Sequence, residues 1–281
     1  MARAKIVLCV LIALASFGLA QAQPSDLLIY NVWVRPTAPT PKADATPEAP
    51  IPGTVTGGYL TIQNTGSGDY HLVGVKDDFA EMSQLHQTTI DSKGVARMQA
   101  IDALDIPSGQ TVTLADNGYH VMLMNVAHDL YANQAVALTL TFSDSSGSSF
   151  DLPVGALVSA NPPPADPLLI ANAVAQADAS DKSALDVSLI LDNTGTQGDT
   201  LTGAAADFAK AVALMHFSQS GAAPFDSIYV PPQSETVLTP DTAFVLLTGL
   251  SQPLPEAFVL TLDFQSGKKL IVAVPVQKAV S

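Results

Sequence analysis

Hydrophobic and polar residues alternate in short runs along most of this chain, and turn residues separate the runs. A period of two places successive side chains on opposite faces of a β-strand. Residues 59–63, 111–114 and 135–142 show this pattern and are rich in β-branched side chains, and triplets such as Asn-Thr-Gly and Pro-Ser-Gly lie between such runs. The pattern predicts an all-β protein built from antiparallel Greek-key sandwiches.

The chain also repeats itself. Asn64-Thr65-Gly66 recurs as Asn193-Thr194-Gly195, and Thr139-Leu140-Thr141-Phe142 matches Thr261-Leu262-Asp263-Phe264. A proline-rich segment at residues 161–167 lies between the copies and is typical of a stiff linker. The repeat therefore predicts two tandem domains, at residues 23–160 and 168–281, each of ordinary domain size.

The first 22 residues have the pattern of a secretory signal peptide. Arg3 and Lys5 precede an apolar run, and Ala20-Gln21-Ala22 follows it as a small-x-small cleavage site. The run is too short for a membrane-spanning helix, and no later segment is long and apolar enough. We therefore expect a periplasmic or otherwise exported protein without a membrane span after cleavage. Cleavage would remove Cys9, the only cysteine, which excludes disulfides and thiolate metal sites.

The amino-acid composition and net charge exclude further classes of protein. The chain has 281 residues, with 26 acidic and 12 basic side chains and a formal net charge of −14. Hydrophobic residues make up 47% of the chain and charged residues 14%, which indicates a folded protein. The acidic balance argues against a nucleic-acid partner, because no basic patch is available to neutralise phosphates.

Histidine and methionine are concentrated in the first copy. Four of the five histidines and four of the six methionines lie between residues 71 and 128. On a strand through residues 119–124, His120, Met122 and Met124 share one face. Imidazole with thioethers is a soft ligand set suited to Cu(I), although methionines on a strand also commonly fill a core. His86 and Met98 lie in short extended stretches that we expect to pair beside this strand.

The spacing of these residues resembles the ligand signature of PCuAC, a family of periplasmic copper chaperones. Eleven residues separate His86 from Met98, twenty-one separate Met98 from His120, and one separates His120 from Met122. The flanking segments 33–35, 58–64 and 118–124 are also similar to that family. The resemblance implies two tandem cupredoxin-like β-sandwich domains and one Cu(I) bound by His86, Met98, His120 and Met122.

The resemblance also implies a function. The family delivers copper to a partner protein by ligand exchange, without catalysis, and the dinuclear copper centre of cytochrome oxidase is the candidate acceptor. Two departures are visible here. Gln87 stands where many members have a methionine after the first histidine, and residues 277–281 lack a His/Met-rich tail.

The second copy has lost the signature. Its alignment with the first sets Met215 opposite His86, Phe244 opposite His120 and Leu246 opposite Met122, while the counterpart of Met98 lies near Ala222. We therefore expect a degenerate PCuAC-like domain without metal ligands. A weak site formed by Met215 and the adjacent His216 is the alternative.

Three other functions remain open from the sequence. The chain is alternatively an exported binding or adhesion module with an inert His/Met core, a copper scavenger, or a copper redox enzyme, for which only two well-placed histidines are available. Among the remaining side chains, we expect His71 and His128 on the surface and Met124 as an auxiliary ligand. We expect Met82, four residues before His86, in packing contacts, with an approach to the metal as the alternative.

Overall fold

The computed structural model describes residues 26–38, 53–218 and 221–277, and within them the chain forms strands and no helix. The first half contains β1 (Leu27–Val34), β2 (Val55–Asn64), β3 (Tyr70–Lys76), β4 (Ala80–Ile90), β5 (Ala96–Ala100), β6 (Leu104–Ile106), β7 (Thr111–Leu114), β8 (Tyr119–Val126), β9 (Ala135–Asp144) and β10 (Ser149–Val158). The second half contains β11 (Leu168–Ala177), β12 (Leu185–Asn193), β13 (Asp199–Ala205), β14 (Ala209–Ser218), β15 (Gly221–Pro224), β16 (Ile228–Val230), β17 (Ser234–Leu238), β18 (Ala243–Leu250), β19 (Ala257–Phe264) and β20 (Lys269–Gln277). The predicted signal peptide lies outside the described residues.

Both halves have the same topology. The strand order is β5-β4-β8-β2-β1-β10-β9-β3-β6 in the first, with β7 paired to β2, and β15-β14-β18-β12-β11-β20-β19-β13-β16 in the second, with β17 paired to β12. The parallel pairs β1–β10 and β11–β20 connect the two layers of each sandwich, and all other pairs are antiparallel. The predicted fold class, two tandem all-β sandwich domains, is confirmed.

Each domain has its own hydrophobic core, supplied by one face of its strands. In the first domain Leu60 and Ile62 of β2, Val121 and Leu123 of β8, and Leu140 of β9 are almost fully buried together. The residues between them point to the other side of the sheet, as the alternation predicts. The described residues contain no helix that could cross a membrane.

The repeated Asn-Thr-Gly triplet has a structural role. The buried Asn64 side chain donates to the carbonyl oxygens of Gly68 and Ile106, and it accepts from the Gly66 N–H. Asn193 makes the same set of bonds in the second domain. A buried amide with its hydrogen bonds satisfied fixes the turn in each copy, which explains why the triplet recurs.

The two domains pack through equivalent elements. Strands β1, β9 and β10 of the first domain contact β11, β19 and β20 of the second, their counterparts in the repeat. Asn172 connects the domains, because its amide donates to the Leu27 carbonyl oxygen at 2.7 Å and accepts from the Ile29 N–H at 2.9 Å. The arrangement resembles the self-complementary interface of a two-fold dimer within one chain.

At Gly155 the backbones of the two domains approach each other closely. A Cβ atom at this position would lie 2.3 Å from the backbone oxygen of Ala273, which occupies the equivalent place in the second copy. Because backbone cannot yield as a flexible side chain can, any side chain here must separate the domains.

The Gly155→Ala substitution should therefore destabilise the protein by about 1–3 kcal/mol, as overpacking of a tight interior does. Calorimetric unfolding would measure the loss, with Gly68→Ala as the matched control. Gly68 lies in an exposed turn, where an added Cβ meets nothing nearer than 4.0 Å. Equal melting temperatures for the two variants would contradict the close approach.

Candidate metal centre

The two histidines of the predicted ligand set are cross-strand neighbours. Strand β4 pairs with β8 so that His86 lies directly opposite His120, and their ring centres are 5.8 Å apart. Two imidazoles that bind one ion through nitrogens at about 2 Å place their ring centres up to about 6 Å apart. The observed separation therefore allows both rings to bind a single ion.

The two methionines are placed around His86. Met122 lies opposite Gln84, so it is diagonal to His86 and two residues from His120 on the same strand. Met98 lies opposite Thr88 on β5, so it is diagonal to His86 on the other side. Diagonal neighbours on one face are within reach of long side chains. All four predicted ligands thus project from the same face of the three strands.

Met98 differs in one respect from the expectation. The strand that carries it, β5, was predicted beside the His120 strand, but it pairs with β4, on the far side of His86. The expected place beside β8 is occupied by β2 on one side and β4 on the other. His86, rather than His120, is therefore the central residue of the cluster.

The cluster lies on the outer face of the sheet. Leu85, Val121 and Leu123, which alternate with these residues, point into the core. His120 is nevertheless only 4% exposed, whereas Met98 is 54% exposed. The site thus has a buried imidazole at its base and an accessible thioether at its rim.

Each imidazole keeps one nitrogen free of hydrogen bonds. Nδ1 of His120 lies 3.3 Å from the Gly118 carbonyl oxygen, which can only accept. In the neutral ring this contact favours the tautomer with the proton on Nδ1, which leaves the lone pair of Nε2 for a metal. In His86, Nε2 lies 3.2 Å from Oε1 of Gln84, and Nδ1 is buried without any partner. An unpartnered buried nitrogen is costly unless something binds it, and a metal ion would do so.

The electrostatics of the site favour the neutral form of His86. Burial, and then the neighbouring His120, lower the pKa of His86 below its usual value of 6.5. Neutral imidazole is the form that binds metals, so at neutral pH no proton has to be displaced from His86.

Two stacked aromatic side chains, Trp33 and Tyr59, lie beside the ligand cluster. Gly57 of β2 lies opposite Met122, and the Tyr59 hydroxyl covers Gly57 so closely that a Cβ there would be 2.5 Å from it. Tyr59 stacks on Trp33 at 4.4 Å, and Arg35 donates to its hydroxyl while also pairing with Asp116. The sequence pattern identifies the segments 33–35 and 58–64 only as similar to the family and does not place Trp33 and Tyr59 beside the ligands. The Gly-Gly-Tyr run at residues 57–59 is the sequence feature that indicates this packing.

The described residues of the second domain place no comparable ligands at the equivalent positions. Its strand register places Met215 opposite Phe244, Phe217 opposite Ala222, and Leu246 opposite Ala213. These pairs reproduce the alignment made from the sequence. Met215 is buried and the adjacent His216 is exposed, and successive strand residues point to opposite faces, so the two cannot share an ion.

The remaining expectations have mixed outcomes. His71 is hydrogen-bonded to Asp105 at the surface and His128 is exposed, as expected. The prediction that Met82 packs is wrong, because its side chain is 51% exposed. Met124 lies opposite Met82, two positions along β8 from Met122. The described residues contain no group of three or more His, Cys, Asp or Glu arranged to hold a metal.

Comparison with known proteins identifies the family. The family model "Putative lipoprotein LpqE-like" matches residues 27–154 and 168–276. "Putative lipoprotein Lxx21020" of Leifsonia xyli is 36% identical over 107 residues, which cover 38% of this chain and 64% of that protein, slightly under two thirds of its length. "Uncharacterized protein RP573" of Rickettsia prowazekii is 30% identical over 135 residues, 47% of this chain and 72% of that protein.

Two solved structures are also similar to part of the chain. The copper-bound PCuAC domain from PmoF2 is 20% identical and covers 42% of this chain and 97% of its own, with a TM-score of 0.36. The CuI-DR1885 solution structure from Deinococcus radiodurans is 28% identical and covers 39% and 77%, with a TM-score of 0.34. Because the family model matches most of both halves, the chain belongs to the LpqE-like family, related to PCuAC, and contains its domain in two tandem copies.

Proposed function

We propose that this protein is an exported metallochaperone that carries one Cu(I) ion in its first domain and passes it to an acceptor protein. Copper is its cargo, held by His86, Met98, His120 and Met122. The observation that carries the proposal is the cross-strand pair His86–His120, with ring centres 5.8 Å apart and an unpartnered buried nitrogen on His86.

The chemistry of the four proposed ligands favours Cu(I) over other metal ions. Two neutral imidazoles and two thioethers are soft, uncharged ligands, which suit Cu(I) better than Zn²⁺ or the oxygen-seeking Ca²⁺ and Mg²⁺. Thioethers neither titrate at physiological pH nor form disulfides, so such a site keeps its ligands in an oxidising compartment. Export is supported by the pattern of residues 1–22 and by the description of the family and of the Leifsonia relative as lipoproteins.

The position of the site supports delivery rather than an inert core. The four side chains lie on the outer face, and Met98 is half-exposed at the rim, where an incoming ligand of an acceptor can reach the ion. Ligand exchange then moves Cu(I) without any change in its charge or in the protonation of the thioethers. The acidic chain would favour an acceptor with a basic face. The dinuclear copper centre of cytochrome oxidase remains the candidate acceptor, on the family resemblance alone.

Anaerobic titration with Cu(I) against a competing chromogenic chelator tests the proposal. We expect tight binding in the first domain, together with transfer of the ion to a stronger chelator added later and no turnover of reductants in air. A binding or adhesion module would show no tight Cu(I) binding. A redox enzyme would consume reductant catalytically once loaded with copper.

A further inference from the structure

Three methionines form a continuous row beside the proposed copper site. Met82 on β4 lies directly opposite Met124 on β8, and Met122 is the next residue on the same face of β8. Val55 of β2 flanks Met124 on the other side. The Met row, Met82–Met124–Met122, therefore leads from the sheet surface to the His86–His120 pair.

The fold does not require methionine at the outer positions of this row. In the second domain, with the same topology, the pair equivalent to Met82 and Met124 is Ala211 and Thr248. Met82 is 51% exposed and so contributes little to packing. Exposed methionine gains no hydrogen bond comparable to that of a polar residue, and its distinguishing property is a soft, polarisable sulfur.

The geometry allows the two sulfurs to meet. Directly opposed residues of an antiparallel pair have Cβ atoms about 4.5–5.5 Å apart. Methionine has three rotatable side-chain bonds, so the sulfurs of Met82 and Met124 can converge on one ion with bonds of about 2.3 Å. Met122 is diagonal to Met82, and it is the neighbour of His120 on the same face of β8. Its sulfur can therefore bind an ion held by Met82 and Met124 or one held by the two histidines.

We propose that Met82 and Met124 form a second, weaker Cu(I) site, through which the ion enters and leaves the His86–His120 site by way of Met122. This inference rests on the proposed function. Each step exchanges one neutral ligand for another: a thioether–copper bond forms as an imidazole– or thioether–copper bond breaks, copper remains Cu(I), and no proton or electron moves. A thioether-only site binds weakly enough to release the ion to an acceptor.

The test compares Met82→Leu/Met124→Leu with Met215→Leu, a buried methionine of the other domain. Leucine keeps the volume and removes the sulfur. We expect the wild-type protein and the control to bind two Cu(I) per chain anaerobically, one tightly and one weakly. The double variant should bind only one, and stopped-flow transfer of that ion to bicinchoninate should be about tenfold slower. Circular dichroism would verify that the variants are folded.

A second measurement separates this proposal from the one on which it rests. In His120→Ala the weak equivalent should remain, and the ¹³C-labelled methyl signals of Met82 and Met124 should shift on addition of Ag(I), a redox-inert substitute for Cu(I). Wild-type stoichiometry and transfer rate in the double variant would overturn the Met82–Met124 site alone. Absence of the tight equivalent from the wild-type protein would overturn the chaperone proposal itself.

Discussion

Replacing His120 by alanine should lower the affinity for Cu(I) at least about a hundredfold. His120 is the most buried of the proposed ligands, and its bond to the Gly118 carbonyl holds the ring with Nε2 free. Even the loss of a group that only orients a ligand commonly costs ten- to a hundredfold in metal affinity, so the loss of a ligand should cost more. Competition titration with a Cu(I) chelator would measure the change.

His71→Ala is the matched control, because His71 lies in the same domain but is paired with Asp105 at the surface. Its Cu(I) affinity should equal that of the wild type. Met122→Leu provides a milder test, because it removes one thioether with little change in volume and therefore without risk to the core. If His120→Ala and Met122→Leu both bind Cu(I) as the wild type does, the assigned ligand set is wrong.

Replacing Asp186 by asparagine should stabilise the protein at pH 7.5 by up to about 3 kcal/mol. Asp186 lies in the second domain opposite Leu246, is only 4% exposed, and has an Oδ1 atom without a partner. Burial, and then the neighbouring carboxylate of Asp178, raise its pKa from 3.8 to about 6, although Lys182 opposes the change. A tenfold difference in proton affinity between the folded and unfolded states corresponds to about 1.4 kcal/mol of stability.

The sign of this effect depends on pH. Between pH 4 and 6 the folded protein holds a proton that the unfolded chain has released, so stability falls as the pH rises through this range. Above pH 6 the ionised, buried carboxylate destabilises the fold fully, and asparagine removes that penalty. At pH 4 the folded carboxyl keeps its proton, whereas the unfolded one, at its usual pKa of 3.8, is only partly ionised. Only a small part of the penalty remains there, so the substitution should have a much smaller effect than at pH 7.5.

Calorimetry at pH 7.5 and pH 4.0 would measure this difference, with Asp181→Asn as the control. Hydrogen bonds from the Ser183 hydroxyl and backbone lower the pKa of Asp181, so neutralising it should give no stabilisation at pH 7.5. A gain for Asp186→Asn that is equal at both pH values would show that the buried charge is not its cause.

Local patterns predicted those parts of the molecule that depend on neighbouring residues. Alternation identified the strand through residues 119–124 and the shared face of His120, Met122 and Met124, because strand geometry alone fixes that face. The internal repeat identified two domains of one topology. The resemblance of the residue spacing to the PCuAC signature then identified His86 and Met98. Their position relative to His120 depends on strand pairing, which no local pattern predicts.

The parts that could not be predicted depend on pairing between distant segments. The sequence pattern does not predict that β4, rather than β5, lies beside β8. This strand order places His86 at the centre of the cluster. The exposure of a methionine side chain also cannot be predicted from its residue type. We expect Met82 to pack, but it lies on the outer face of the sheet and is exposed to solvent. The close approach of Gly155 to Ala273 depends on how the two domains pack against each other, which no local pattern contains.

X-ray absorption at the copper edge, on protein loaded with less than one equivalent of Cu(I), tests the central claim most directly. It counts the sulfur and nitrogen neighbours of the ion without reference to affinity. The proposed site predicts two nitrogen neighbours at about 2.0 Å and two sulfur neighbours at about 2.3 Å, with one sulfur fewer in Met122→Leu. Nitrogen and oxygen neighbours alone, or a set of neighbours unchanged by that substitution, would contradict it.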